Sequence, residues 1–374
     1  MKWIQKIYFG MPGTGKSHKV HNDVIKNELN IIADENIINT VFHPEYSYGD
    51  FMGKLLPITN ELKQVEYNYY EGFFLKALAQ AYKNILNNKD ENVVLVIDEI
   101  NRGNSSAIFG SIFQLLDRDE DGLSSYSINI SDMEFNRLVE LMGLEKDTKS
   151  ENYRLNDSTD GYKSLVDLFS DTELKDSTLL SKQIQIPANF SIIGTMNTSD
   201  ESIYYMDSAF KRRWDWEYIN NYWGRDKESE ETCPESSNEH TRADETNYFI
   251  LKDLDSFINI ETTHRWVSFI NSVNQFLVQN SDIIRGIEDK QIGYWFIKSE
   301  FEPIEKMLII PKDKIKNKLM FFLWDSVFSR DKEPLNELLL TDETTKLRTF
   351  GDFQDNTDKF IEKVMENYSD DTFE

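Results

Sequence analysis

The stretch that most limits what this chain can fold into is Ile7-Tyr8-Phe9-Gly10-Met11-Pro12-Gly13-Thr14-Gly15-Lys16-Ser17. An apolar run rich in β-formers leads straight into Gly-x-x-x-x-Gly-Lys-Ser, and an amphipathic segment from His18 to Leu29 follows. That order reads as strand, loop, helix. Glycines at 10, 13 and 15 let the backbone turn tightly, so that successive N–H groups point inward at a phosphate chain, and the helix adds its positive N-terminal end. In such a loop Lys16 reaches the β- and γ-phosphates and Ser17 sets its hydroxyl on Mg²⁺. An accidental glycine-rich turn is the bland alternative, but both the pattern and its flanks are those the motif requires.

The second decisive stretch is Val93-Val94-Leu95-Val96-Ile97-Asp98-Glu99-Ile100-Asn101-Arg102. Its nearly continuous β-branched run predicts a fully buried strand of a parallel sheet, with two carboxylates at the carboxyl edge where open α/β sheets bind ligands. Asp98 suits a Mg²⁺ ligand acting through water, and Glu99 suits the group that polarises an attacking water. A strand ending in Asp-Glu is common by chance, and it gains meaning only downstream of a phosphate loop.

Other segments fill in an alternating α/β order. Ile37 to Phe42 predicts a strand that runs into an aromatic loop punctuated by Pro44, Gly49 and Gly53, whose rings are as readily core as function. Tyr67 to Tyr70 read as extended and Glu71 to Leu86 as helix. Asn104 is placed to cap a helix from Ser105 to Leu116, and Asp117 to Gly122 read as a solvated acidic turn without the spacing of a calcium loop. From about 124 to 181 the chain is polar, with a helical pattern only near Phe135 to Leu144, and it reads as a mobile insertion. A further buried strand, Phe190 to Gly194, ends on Asn197, Thr198 and Asp200. A neutral amide at such a tip orients water without adding negative charge. Met206 to Arg213 predict a short helix closed by Lys211, Arg212 and Arg213 before a last strand, cations that either answer the helix dipole or act as an arginine finger.

Beyond that point the chain changes character. Residues 1–219 form the expected core, 220–247 an acidic polar linker or excursion, and 248–374 a mainly helical lid and C-terminal region, with Ile292 to Phe296 read as extended. Arg265 and Arg285 read as surface ion-pair residues rather than lid arginines over a nucleotide. The tail from Asp352 reads as a solvated helix that frays.

Composition bounds the function. With 374 residues, 39% hydrophobic and 13% aromatic, the chain fills two or three packed units. Its 41 basic and 66 acidic residues leave a net charge of −25, which argues against a generic basic surface for nucleic acid and makes any DNA contact local or delegated. The single cysteine, Cys233, excludes an intramolecular disulfide framework and points to a reducing cytoplasm. The apolar runs are too short to cross a bilayer, and Met1 to Lys6 hold no signal-peptide core. No clustered Asp/Glu/Lys constellation outside these motifs suggests a nuclease in its own right.

Together, Gly10-Met-Pro-Gly-Thr-Gly-Lys-Ser17, Phe42-His-Pro-Glu-Tyr-Ser-Tyr48, Asp98-Glu-Ile-Asn-Arg-Gly103, Gly194-Thr-Met-Asn-Thr-Ser-Asp200 and Ala209-Phe-Lys-Arg-Arg213 resemble the McrB branch of the AAA+ NTPases, motor subunits of modification-dependent restriction systems. Gln291-Ile-Gly-Tyr-Trp-Phe296 is similar to a lid-region motif of the same branch. The resemblance implies an α/β P-loop core with a parallel sheet and a helical lid, and nucleotide contacts from Gly10, Pro12, Gly13, Thr14, Gly15, Lys16, Ser17, His18 and Asp200. It also implies Mg²⁺ on Ser17 and Asp98, and catalytic roles for Lys16, Glu99, Asn197 (sensor 1) and the Arg212/Arg213 finger. Further implications are a homo-oligomeric ring, usually a hexamer, GTP rather than ATP as fuel, and a McrC-type nuclease partner. Restriction motors of this kind commonly carry an N-terminal DNA-reading domain, whereas the first strand here begins within a few residues of Met1. The reader is then expected in the partner, in the insertion, or outside this stretch of chain. A MoxR- or dynein-like ATP-driven protein remodeller, or a nucleotide-gated scaffold with little turnover, stays open beside that reading.

Overall fold

The computed structural model describes residues 2–59, 63–156, 158–172, 174, 177–198, 204–219, 248–249, 264–284, 286–298, 300–302, 307–340 and 346–368. Asp200, Cys233, Arg285, the side chain of Arg265 and all of the expected 220–247 linker lie outside the described residues. Packing divides the chain into two units: Met1–Phe9, Ser17–Met196 and Glu201–Glu217 in the first, Gly10–Lys16, Asn197–Asp200 and Tyr218–Glu374 in the second.

The first unit is built on a five-stranded parallel sheet flanked by helices. Its strands are β1 (Gln5–Gly10), β2 (Ile37–Val41), β5 (Val93–Asp98), β6 (Phe190–Asn197) and β7 (Asp215–Tyr218), in the order β7-β1-β6-β5-β2; β3 (Gly53–Thr59) and β4 (Val65–Glu71) pair apart from it as an antiparallel hairpin. Gly194 lies opposite Ile97, and Thr40 opposite Ile97 on the other side. The apolar run Val93 to Ile97 is at most 1% exposed, as a strand covered on both faces must be. Helix Phe73–Leu86 packs on β2 and β5 through Phe74, Leu75, Leu78 and Tyr82, the apolar face its periodicity predicts.

The helix after the glycine-rich loop begins at Lys16–His18 and widens over Lys19–Glu28, with Leu29 N–H reaching back to the Val24 carbonyl. Asn104 caps the helix Ser105–Phe109 by accepting from the Ala107 N–H at 3.2 Å. The polar stretch 124–181 packs into the main core instead of standing off it. Phe135, Leu138, Val139, Met142, Leu144, Tyr153, Phe169 and Leu179 all join the main core, and Arg137 ties helix Asp132–Leu141 to Glu71 at 2.9 Å. Composition averaged over the segment hides these few inward-facing residues.

The second unit is mainly helical around its own core. Helices Trp266–Gln279, Lys312–Lys314 with its continuation through Val327, Glu333–Leu339, Phe350–Asp355 and Thr357–Tyr368 enclose Trp266, Phe269, Phe276, Leu323, Phe353 and Phe360. Residues 292–296, read as extended, instead close as a 3₁₀ turn at Tyr294–Phe296. No helix among the described residues is long and apolar enough to cross a membrane.

Candidate functional site

The carboxyl edge of the sheet gathers the ends of its strands. β1 ends at Gly10, β5 at Asp98 and β6 at Asn197. β1 and β6 run parallel, since Ile192 N–H bonds to Ile4 O and Thr198 N–H to Gly10 O with the same offset.

The loop after β1 needs glycine at three places. Gly10, Gly13 and Gly15 have φ of 151°, 79° and 87°, values that side chains rarely adopt. Space forbids a side chain as well: a Cβ on Gly10 would stand 2.5 Å from the Ile219 carbonyl oxygen, and one on Gly13 2.4 Å from the Phe296 nitrogen. Thr14, almost fully buried, donates to the Met11 carbonyl at 3.1 Å. Lys16 is buried, and its ammonium donates to the carbonyls of Gly10 and Met11 at 3.0 and 2.7 Å. Those bonds hold the lysine over its own loop, where a cation belongs if a phosphate chain lies there.

At the tip of β5, Asp98 accepts a hydrogen bond from the Thr195 hydroxyl at 2.7 Å, delivered from the adjacent strand. Glu99 then turns with φ 55°, a left-handed conformation unusual for glutamate. Backbone bonds lock the turn: Ile100 N–H to Thr195 O at 3.0 Å, Arg102 N–H to Glu99 O at 2.9 Å, and Tyr204 N–H to Asn101 O at 2.8 Å. Ile100 and Asn101 are buried, and a Cβ on Gly103 would meet the Ile108 side chain at 2.6 Å. The whole Asp-Glu-Ile-Asn-Arg-Gly run is therefore a rigid turn that carries two carboxylates.

The aromatic loop after β2 resolves to core. Phe42 packs on Phe51, Phe51 on Phe109, Phe109 on Phe210, and Phe210 on Trp214, with centroids 4.8–5.7 Å apart. Tyr46 bonds Thr40 at 3.0 Å, and burial pushes its phenol up to about 12. This chain of rings ends beneath the short helix Ser208–Lys211, whose cap Asp207 accepts from Phe210 N–H at 2.7 Å.

The two arginines after that helix differ. Arg213 is pinned, with Asp117 at 2.7 Å, the Ala209 carbonyl at 2.9 Å, and the Phe113 ring face 3.9 Å from its guanidinium carbon. Its carbonyl is held by buried Gln5 of β1 at 2.6 Å. Arg212 is exposed and makes no ion pair among the described residues. Asp117, expected in a solvated turn, is thus the anchor of Arg213.

Ser17 and His18 are exposed at the start of the helix, and Asn197 is half-buried. The Ser17 hydroxyl and the Asp98 carboxylate are hard oxygen donors of the type Mg²⁺ takes, few in number with the rest of its octahedron filled by phosphate and water. Two contributors escaped sequence reasoning. Thr195 sits inside the quoted Gly-Thr-Met-Asn stretch, and only the register beside Asp98 gives it a role. The other is Gly293 to Phe296, noted as a motif, whose lone glycine between apolar residues is the one signal that a backbone passes close by.

Comparisons with known proteins show what the chain is similar to. The profile of the AAA domain, dynein-related subfamily, matches residues 7–214. The BsuMI type II restriction enzyme component YdiS of Bacillus subtilis is 28% identical over 87% of this chain and 80% of its own length. The EcoKMcrB subunit of the type IV methyl-directed restriction enzyme of Escherichia coli is 26% identical over 54% of this chain, a match spanning 32% of that subunit. The solved structure of a candidate ATPase from Cytophaga hutchinsonii, 15% identical over 58% of this chain and 42% of its own, has a TM-score of 0.24, too low a likeness to bear on the fold.

Proposed function

This chain belongs to the dynein-related AAA domain family, and we propose that it hydrolyses a nucleoside triphosphate at sites completed between copies in a ring. Lys16 and the loop amides hold the phosphates, Ser17 and Asp98 hold Mg²⁺, Glu99 polarises the attacking water, and Asn197 orients it. Mg²⁺, when bound, neutralises charge developing on the transferred phosphoryl group. Chemistry of this kind asks the protein for alignment and charge neutralisation and little else.

The observation that carries the reading is the convergence of Gly10, Asp98 and Asn197 on one edge of one parallel sheet, the edge at which such sheets bind ligands. Arg212 supports the shared site, because it is exposed on a rigid base while Arg213 supplies that base. A finger supplied to a neighbour implies head-to-tail contacts, which close as a ring; a hexamer follows the McrB resemblance. GTP as fuel, DNA restriction with a McrC-type nuclease, and a cytoplasmic setting follow the same resemblance and the kinship to restriction components.

The test mixes Lys16→Ala subunits with Arg212→Ala subunits. Each alone is inactive, and mixtures regain part of the turnover because some junctions hold a complete set. Mixtures that stay inactive, or full wild-type activity as a dilute monomer, would rule out the shared site. The dynein-related family assignment also favours a second reading, an ATP-driven remodeller of protein complexes. Comparing GTP with ATP turnover, with and without a nuclease partner, separates the two.

A further inference from the structure

The phosphate loop is held from outside by a distant piece of its own unit. Gly293 N–H donates to the Pro12 carbonyl at 3.0 Å and Trp295 N–H to the Gly13 carbonyl at 2.7 Å. The approach is as close as backbones allow: a Cβ on Gly293 would stand 2.3 Å from the Gly13 carbonyl group, and one on Gly15 would meet the Trp295 indole at 3.2 Å. Glycine is thus required at 293 by the backbone of Gly13 and Thr14, and at 13 by Phe296.

Those two bonds set a direction. No peptide bond among the described residues is cis, so each peptide there turns its C=O and its N–H to opposite sides. The Pro12 carbonyl shares its peptide with the Gly13 N–H, and the Gly13 carbonyl shares its peptide with the Thr14 N–H. Each N–H therefore points opposite to its own carbonyl, so the Gly13 and Thr14 N–H groups are aimed away from the Gly293 and Trp295 nitrogens to which those carbonyls are bonded. We propose that Gly293–Trp295 is a positioning segment that pre-aims the Gly13 and Thr14 amides at the phosphates of the bound nucleotide. This rests on the reading that a triphosphate binds Gly10–Ser17.

The segment is itself anchored. Asn274, on helix Trp266–Gln279, holds Ile292 by both backbone groups, donating to its carbonyl at 2.8 Å and accepting from its N–H at 2.7 Å. Trp266 donates to the Tyr294 carbonyl at 2.7 Å, and the Tyr294 hydroxyl bonds Asn271 at 2.6 Å. A rigid helix thus fixes the turn, and the turn fixes the loop. Donors aimed before the ligand arrives need no reorganisation when it binds.

The experiment measures binding of fluorescent GTP and ATP analogues to wild type, Gly293→Ala, Asn274→Ala and Gly351→Ala. The last is a matched control, since a Cβ there meets only the Thr349 hydroxyl at 3.5 Å. Gly293→Ala is expected to weaken binding about tenfold or more and Asn274→Ala several-fold, as loss of one or two aimed hydrogen bonds implies, while Gly351→Ala binds as wild type. For Asn274→Ala the loss falls on KM, with kcat at saturation retained. Hydrogen exchange on the wild type gives a readout that a purely structural contact would not move: saturating triphosphate slows exchange of the 293–295 amides. Wild type that binds no triphosphate overturns the function read above and this inference with it. Wild type that binds, with both variants equal to it and exchange at 293–295 unchanged by nucleotide, overturns the positioning role alone. Should Gly293→Ala fail to fold, Asn274→Ala and the exchange measurement decide.

Discussion

Thr195 donates its hydroxyl to Asp98 Oδ1 at 2.7 Å, one step beyond the register that sets Gly194 against Ile97. The bond ties one carboxylate oxygen to the neighbouring strand, so the side chain holds one rotamer at the sheet edge. Thr195→Val keeps the shape and removes the donor. Expected is a loss of about 1 kcal/mol in stability and a several-fold rise in the Mg²⁺ concentration giving half-maximal hydrolysis, with turnover at saturating Mg²⁺ nearly preserved. An unchanged Mg²⁺ titration would deny Asp98 its metal role or Thr195 its part in it.

Adjacent arginines should part company under mutation. Arg212→Ala is expected to leave the melting temperature and nucleotide affinity untouched and to cut turnover by about 10³-fold, the scale of a lost arginine finger. Arg213→Ala strips Asp117 of its partner and Phe113 of a stacked cation, and should destabilise the fold by roughly 2 kcal/mol, below the range for a fully buried pair because Asp117 is partly exposed. Denaturant titration beside steady-state phosphate release distinguishes the two. Equal loss of stability in both variants would erase the distinction.

The sequence already spelled out what depends on local pattern. The glycines of the loop, the β-branched run into Asp98 and the strand into Asn197 each carry their structure in consecutive residues. What it concealed depends on partners far along the chain. Nothing beside Arg213 announces Asp117, which follows from two segments meeting under Phe113. The polar composition of 124–181 masked the buried Phe135, Leu138 and Phe169 because those side chains are few and widely spaced. Gly293 reads as an ordinary turn residue until the backbone of Gly13 lies against it.

Glu99 has φ 55°, a conformation that costs a non-glycine residue about 1–2 kcal/mol. Glycine adopts it freely, offset in part by the greater entropy of its unfolded chain. Glu99→Gly is therefore expected to melt at or above the wild-type temperature while losing steady-state hydrolysis. Glu99→Gln keeps the strain, binds nucleotide and also fails to turn over. A Glu99→Gly protein that melts well below wild type would mean that the glutamate serves the fold rather than the chemistry.

Glu217 on β7 joins two lysines, Lys19 at 2.6 Å and Lys6 at 2.9 Å. Partial burial by itself would raise its carboxyl, but the hydrogen bonds and charges of Lys19 and Lys6 outweigh that and hold it below the ordinary carboxylate value. A carboxyl whose folded pKa is depressed contributes stability above its unfolded pKa and loses it as pH falls through the folded one. The stability gap between wild type and Glu217→Gln should therefore stay constant from about pH 7 to about pH 5, then close below about pH 4.5, where a protonated glutamate resembles glutamine. All three side chains are part exposed, at 21–31%, so the gap at neutral pH should be small, about 1 kcal/mol, and smaller still in high salt. Urea midpoints measured across that range check it. A gap that persists undiminished in acid would mean that glutamine disturbs the packing of β7 rather than removing a charge from between two lysines.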